Sequence, residues 1–135
     1  MAIQTKELAQ IAITAAVAGT TTDIGVLPAG AKHLTIHSNF VYGSGGTSAK
    51  FYLQSSADGG DTWFDILCLA HTTSSLRRVV SIDLDAPGTL TTASDGALTD
   101  NTKLEGLCGD RLRLKRTTVG TYAGTTTFAL SITVR

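Results

Sequence analysis

The side chains able to do chemistry in this chain are few, and their spacing keeps most of them apart. Its three histidines are His33, His37 and His71. His33 and His37 would share a helix face, but in the strand-like run from His33 to Tyr42 they fall about 13 Å apart along one face. One metal ion cannot join them, and His71 has only Thr72 and Thr73 beside it. Asp58 with Asp61, and Asp83 with Asp85, have the proximity that acid–base work needs, yet turn capping and strand-end solvation account for both pairs. No Gly-x-Ser-x-Gly elbow, Gly-Lys-Thr phosphate loop or nucleophile beside a base occurs. The chain is therefore expected to be no enzyme, and to hold neither metal nor cofactor.

The two cysteines, Cys68 and Cys108, form no Cys-x-x-Cys motif. Buried free thiols are the expected state; a disulfide would need Cα atoms within about 7 Å, which adjacent strands could supply. Tyr42, Phe51, Tyr52, Trp63, Phe64 and Tyr122 could stack on sugar rings if they faced solvent together. Alternation along a strand instead separates Phe51 from Tyr52 and Trp63 from Phe64, so about half of them belong to the core. Arg111, Arg113, Lys115 and Arg116 could form a basic stripe, but no aromatic residues interleave with them for nucleic-acid readout.

The whole composition points the same way. Eleven basic and eleven acidic residues balance, which gives no long-range pull toward nucleic acid or an anionic membrane. Charged residues make up only 16% of the chain, leaving a surface of Thr, Ser, Gly and Ala suited to close packing against protein. The N-terminus shows no basic region followed by an apolar run, so no secretory signal is read. The apolar stretch from Ile11 to Ala18 falls short of the roughly 18 residues of a membrane span. A soluble protein made in a reducing cytoplasm is expected.

The elements that must position these residues read as β throughout. At 135 residues the chain fits one domain. Runs at Gln10–Ala16, Asp23–Leu27, His33–Tyr42, Ala49–Ser55, Thr62–Ala70, Ser75–Leu84, Arg111–Val119 and Thr125–Val134 alternate with Gly, Pro, Asp and Ser clusters. They predict an all-β fold: a single antiparallel β-sandwich, jelly-roll-like, of about eight strands. The last run is the clearest, with Phe128, Leu130, Ile132 and Val134 on one face and Thr127, Ala129, Ser131 and Thr133 on the other. Leu76, Val80, Ile82 and Leu84 predict another inward row, in which Arg78 must find a partner or reach solvent. A weak helix is read at Thr5–Gln10, and residues 1–9 are read as an N-terminal arm to a domain over residues 10–135. The segment from Asp85 to Asn101 is the longest loop, either a functional loop or a solvated connection between sheets.

Ser56-Ala57-Asp58-Gly59-Gly60-Asp61-Thr62-Trp63 fits the Asp-box pattern Ser-x-Asp-x-Gly-x-x-Trp. Here it predicts a β-hairpin turn formed by Ser56, Asp58, Gly60 and Trp63. Asp58 would accept turn amides, Gly59 and Gly60 can take positive φ, and Trp63 would pack across the base. Propellers of the sialidase type repeat the motif over a far longer chain; here it occurs once.

The stretch from Phe51 to Ile66, with Gln54-Ser55-Ser56, Asp58-Gly59-Gly60 and Trp63-Phe64-Asp65-Ile66, resembles a segment of small structural proteins of tailed bacteriophages and related particles. The closing pattern Gly109-Asp110-Arg111-Leu112-Arg113-Leu114, with Gly120 and Thr126 to Ser131, is similar to the same group. The resemblance implies a non-catalytic virion protein working in many copies, most simply a capsid decoration protein. A neck or tail component is its nearest variant, and a carbohydrate-binding sandwich module the alternative of another class. Its implied partners are further copies of itself, with trimers suiting three-fold lattice positions, and the major capsid protein or other virion proteins. A host-surface glycan belongs to the alternative reading, and no nucleic acid or membrane partner is implied. Inter-subunit contacts are expected in the arm (Ile3, Leu8), which could add a strand to a neighbour, and in the loops carrying Tyr42, Pro87 and Leu90.

Overall fold

The structure, a computed structural model, describes residues 4–8 and 10–135. The strands are β1 (Gln4–Glu7), β2 (Ile11–Ala12), β3 (Ala18–Val26), β4 (His33–Val41), β5 (Ser44–Gly45) and β6 (Ser48–Ser56). After them come β7 (Phe64–His71), β8 (Leu76–Asp83), β9 (Arg111–Val119), β10 (Tyr122–Ala123) and β11 (Thr127–Val134). No helix occurs among the described residues. One sheet runs β1-β11-β4-β8, with β2 taking over from β1 along β11, and the other runs β3-β9-β6-β7. A small ladder joins β5 to β10.

The pairing has a simple logic. β1 pairs with β11, β3 with β9, β4 with β8 and β6 with β7, all antiparallel and each pair nested inside the one before. The chain is thus one long hairpin whose tip is the β6–β7 turn. Rolling it up brings β11 against β4 and β9 against β6, which completes two sheets. This is the jelly roll, an all-β antiparallel sandwich.

Period-two alternation fills the space between the sheets. Phe128, Leu130, Ile132 and Val134 of β11 are buried together with Leu34, Ile36 and Phe40 of β4. Opposite them lie Phe51 and Leu53 of β6 and Leu112 and Leu114 of β9. Phe51 and Phe128 stack across the core with ring centroids 3.7 Å apart. The β8 row is shallower than its pattern predicts: Ile82 is buried and Val80 and Leu84 half-buried, but Leu76 is 46% exposed. Leu76 ends an edge strand, where only one neighbour covers it.

The structure revises the reading of the N-terminus. No helix forms among the described residues of Thr5–Gln10: Gln4–Glu7 is strand β1, in register with β11 from Gln4 opposite Val134 to Glu7 opposite Ser131. A helix of so few residues cannot offset its nucleation cost, whereas β11 offers a ready edge. The expected arm is therefore, over Gln4–Glu7, a strand of this chain's own sheet. Leu8 follows it, its amide donating to the Leu130 carbonyl at 2.8 Å; Ile3 lies outside the described residues. The strand read at Gln10–Ala16 is confined to Ile11–Ala12.

Candidate functional site

Strands β6 and β7 are buried on both faces. Phe51 and Leu53 face the core, while Tyr52 and Gln54 point to the other side of the sheet, yet all four are at most 4% exposed. The cover is the chain between β8 and β9, residues 84–110, which crosses the outer face of β6 and β7 as a strap. It is tied down by one carboxylate. Asp65, 1% exposed, accepts hydrogen bonds from the backbone amides of Gly96 (2.9 Å), Ala97 (2.9 Å) and Leu98 (3.1 Å) and from the Ser94 hydroxyl (3.0 Å). The Gln54 side-chain amide donates to Asp65 at 2.7 Å and to Asp95 at 2.7 Å, while its oxygen accepts from Arg113 Nε at 2.7 Å. Converging amides satisfy the buried carboxyl oxygens in the geometry of a nest.

Charge pairing extends the latch. Asp95 binds Lys115 at 2.7 Å, and Asp100 binds Lys50 at 2.8 Å. The Lys115 hydrogen bond, helped by Gln54, holds the Asp95 carboxyl below its usual range, and the Asp100 hydrogen bond raises Lys50. Further on, the strap pairs with β7's free edge: Cys68 N donates to Thr102 O and Leu104 N to Ile66 O. Asn101 Oδ1 accepts from Ala70 N at 3.0 Å. β7 therefore presents little unpaired backbone to another chain.

The Asp-box builds the tip of the rolled hairpin as its residue types predict. Ser56 Oγ donates to Asp58 Oδ1 at 2.8 Å and accepts from Gly60 N at 2.9 Å, and Thr62 N donates to Asp58 at 2.9 Å. Bonds from Thr62 and Ser56 hold the Asp58 carboxyl down at about 2. Gly60 sits at φ +97, and Trp63 Nε1 donates to its carbonyl at 3.1 Å. The Arg113 guanidinium covers the Trp63 ring, 4.4 Å from its centroid. Gly109 passes so close to this turn that a Cβ there would lie 1.9 Å from the Ser56 carbonyl oxygen.

The remaining candidates are mostly dispersed. His33 and His37 lie on the outer face of β4, alternating with buried Leu34, Ile36 and Ser38. His71 is 4% exposed, stacks on Phe40 at 4.5 Å, and lies 3.3 Å from Arg78 Nη2. Burial first, then Arg78, lowers its pKa to about 4. Arg78 finds its partners inward, donating to Ala70 O at 2.6 Å and to Asn101 Oδ1, and so bridges the two sheets at their β7–β8 margin. Both cysteines are free, Cys68 buried and Cys108 half-buried, and burial raises both thiols. Among the described residues, no three His, Cys, Asp or Glu side chains gather as a metal site, and no helix is long and apolar enough to cross a membrane.

The aromatic residues form no shared exposed surface: Phe51, Tyr52 and Tyr122 are buried, and Tyr42 is half-buried against Tyr122, its hydroxyl donating to Gly45 O at 2.9 Å. The basic stripe is divided as well, with Arg113 and Lys115 bound under the strap. Pro87 and Leu90 stand exposed on the strap, Leu90 completely at 107%. Sequence reasoning missed Gln54 and Asp65 as the latch. Their signal is Asp65 standing alone in the apolar run from Phe64 to Leu69, which needs a cover on both faces.

Among the described residues no segment crosses the outer face of the other sheet. Its outer face carries Thr127, Ala129, Ser131 and Thr133 of β11, and Thr35, His37, Asn39 and Val41 of β4. Val79 and Ser81 of β8 continue it, while the charged Glu7, Arg77 and Asp83 stand on its margins. Its middle thus carries mostly Thr, Ser, Ala and Asn side chains, with His37 among them. None of the protein-family models, curated proteins or solved structures compared with this chain matches it.

Proposed function

We propose that this chain is a non-enzymatic structural protein of a virion, a decoration protein that packs in many copies on a phage head. The observation that carries the reading is the asymmetry of the two outer faces. On one, the chain's own strap covers β6 and β7; on the other, among the described residues, Thr, Ser, Ala and Asn side chains lie open, with the charged Glu7, Arg77 and Asp83 at the margins. Such a face packs against another protein that supplies hydrogen bonds to its hydroxyl and amide groups, with few charges to desolvate. The jelly roll is a fold used repeatedly in viral shells, although it also serves lectins and cupins. The resemblance of Phe51–Ile66 to phage structural proteins favours the first use. So does the aromatic set, whose rings are engaged with the core, with Tyr122 or with Arg113 rather than free for sugars.

Immunogold labelling of particles from a producing culture tests the reading. Regularly spaced label on heads is the expected result. Label confined to necks or tails would move the protein within the particle. Unlabelled particles, together with glycan binding by the isolated chain, would replace the proposal with a carbohydrate-binding module.

A further inference from the structure

The four outermost strands of the sandwich are not equally protected. β7 is covered by residues 101–104, and β3 carries two register shifts, between Ala18 and Thr20 and between Asp23 and Gly25, which twist an edge away from strand addition. β1 is a short strand of four residues. β8 is different: eight residues long, regular in register with β4 throughout, and paired on one side only. Leu84 N bonds across to Lys32 O, so even-numbered residues of β8 turn their backbone groups toward β4 and odd-numbered ones turn outward. Of the outward groups, Asp83 O accepts from Gly106 N and Ser81 O from Lys103 Nζ. The amides and carbonyls of Arg77 and Val79 have no partner among the described residues. Val79 is also 68% exposed, an apolar side chain beside open backbone.

We propose that β8 pairs with β8 of a second copy, antiparallel about a two-fold axis at Arg78. In that register Arg77 stands opposite Val79 of the partner, and each of the two pairs exchanges both backbone hydrogen bonds. The four open groups of Arg77 and Val79 are satisfied, and the carbonyls already used by Lys103 and Gly106 are left undisturbed. A slip that set Arg77 against Arg77 would place like charges opposite each other. Arg78 itself is folded inward onto Ala70 O and Asn101, so it does not obstruct the axis. The contact is isologous, and the mode is strand addition at an exposed edge. It joins two bare faces into one continuous sheet surface, and in that respect it rests on the proposed packing role.

Two cysteine variants read the register. In a hydrogen-bonded antiparallel pair the Cα atoms are about 5.5 Å apart, within disulfide range, whereas same-residue pairs in this register are diagonal at about 7 to 8 Å. An oxidised mixture of Arg77→Cys and Val79→Cys is expected to give a disulfide-linked heterodimer that far exceeds the dimer from either alone. Val26→Cys, 62% exposed on the β3 edge, is the control and should give none. Val79→Pro removes the outward amide without touching the β4 ladder, and should halve the native mass while circular dichroism stays unchanged. A mixture with no more cross-link than its components, or a Val79→Pro chain that keeps its mass, overturns the pairing. Particle labelling that persists alongside such a failure would leave the virion assignment standing and this contact alone refuted.

Discussion

Two buried titratable residues make separable demands on the fold. Asp65 is the fixed point of the strap, and replacing it with Ala leaves the amides of Gly96, Ala97 and Leu98 without an acceptor. Asp65→Ala should cost about 3 kcal/mol or more, and hydrogen exchange should quicken at residues 96–98 before it does in the core. Exchange equally slow in the variant would show that the strap is held by something else. His71 acts through pH. Its pKa in the folded protein, about 4, lies below the ordinary value of 6.5, so below pH 6.5 the unfolded chain binds a proton that the folded one refuses. The stabilisation is present above 6.5 and is lost as pH falls toward 4, to an extent on the order of 3 kcal/mol. Asp58, also held low, adds its loss only between its ordinary carboxyl range and about 2. Urea melts of His71→Leu against the parent should show the slope between pH 6.5 and 4 abolished and the more acidic one retained.

At the scale of elements, the tip of the rolled hairpin is the tightest joint. Gly109→Ala would force a Cβ to within 1.9 Å of a backbone oxygen that belongs to the Asp-box turn. Because backbone cannot swing aside as a side-chain end can, the substitution should destabilise by about 2 kcal/mol or more, seen as a lowered midpoint in denaturant. An unchanged midpoint would mean that the turn and the Gly109 segment are not packed as described. Six strands were legible in the sequence: β4, β6, β7, β8, β9 and β11 appear within two residues of their predicted bounds. The Asp-box turn was legible because each of its residues bonds locally. What could not be read was non-local. Gln54 and Asp65 look like solvent-facing residues of a half-buried strand until a strap from some 30 residues later in the chain is laid over them. The N-terminal strand was misread for the same reason, since its pairing partner lies at the far end of the sequence. β5 and β10 are two-residue ladders in Gly-rich sequence and carry no periodic signal of their own.

For the whole molecule, rolling one hairpin into a jelly roll decides which surfaces remain available. The strap covers the outer face of β6 and β7, and the roll leaves the outer face of the other sheet and the β8 edge open. On the proposal above, these surfaces serve assembly with further copies. Light scattering on the 14.0 kDa chain, eluting from gel filtration over a wide concentration range, tests it most directly. A discrete dimer is expected, which reverts to the single-chain mass when Val79 is replaced by Pro. A chain that remains at 14.0 kDa at every concentration would contradict it.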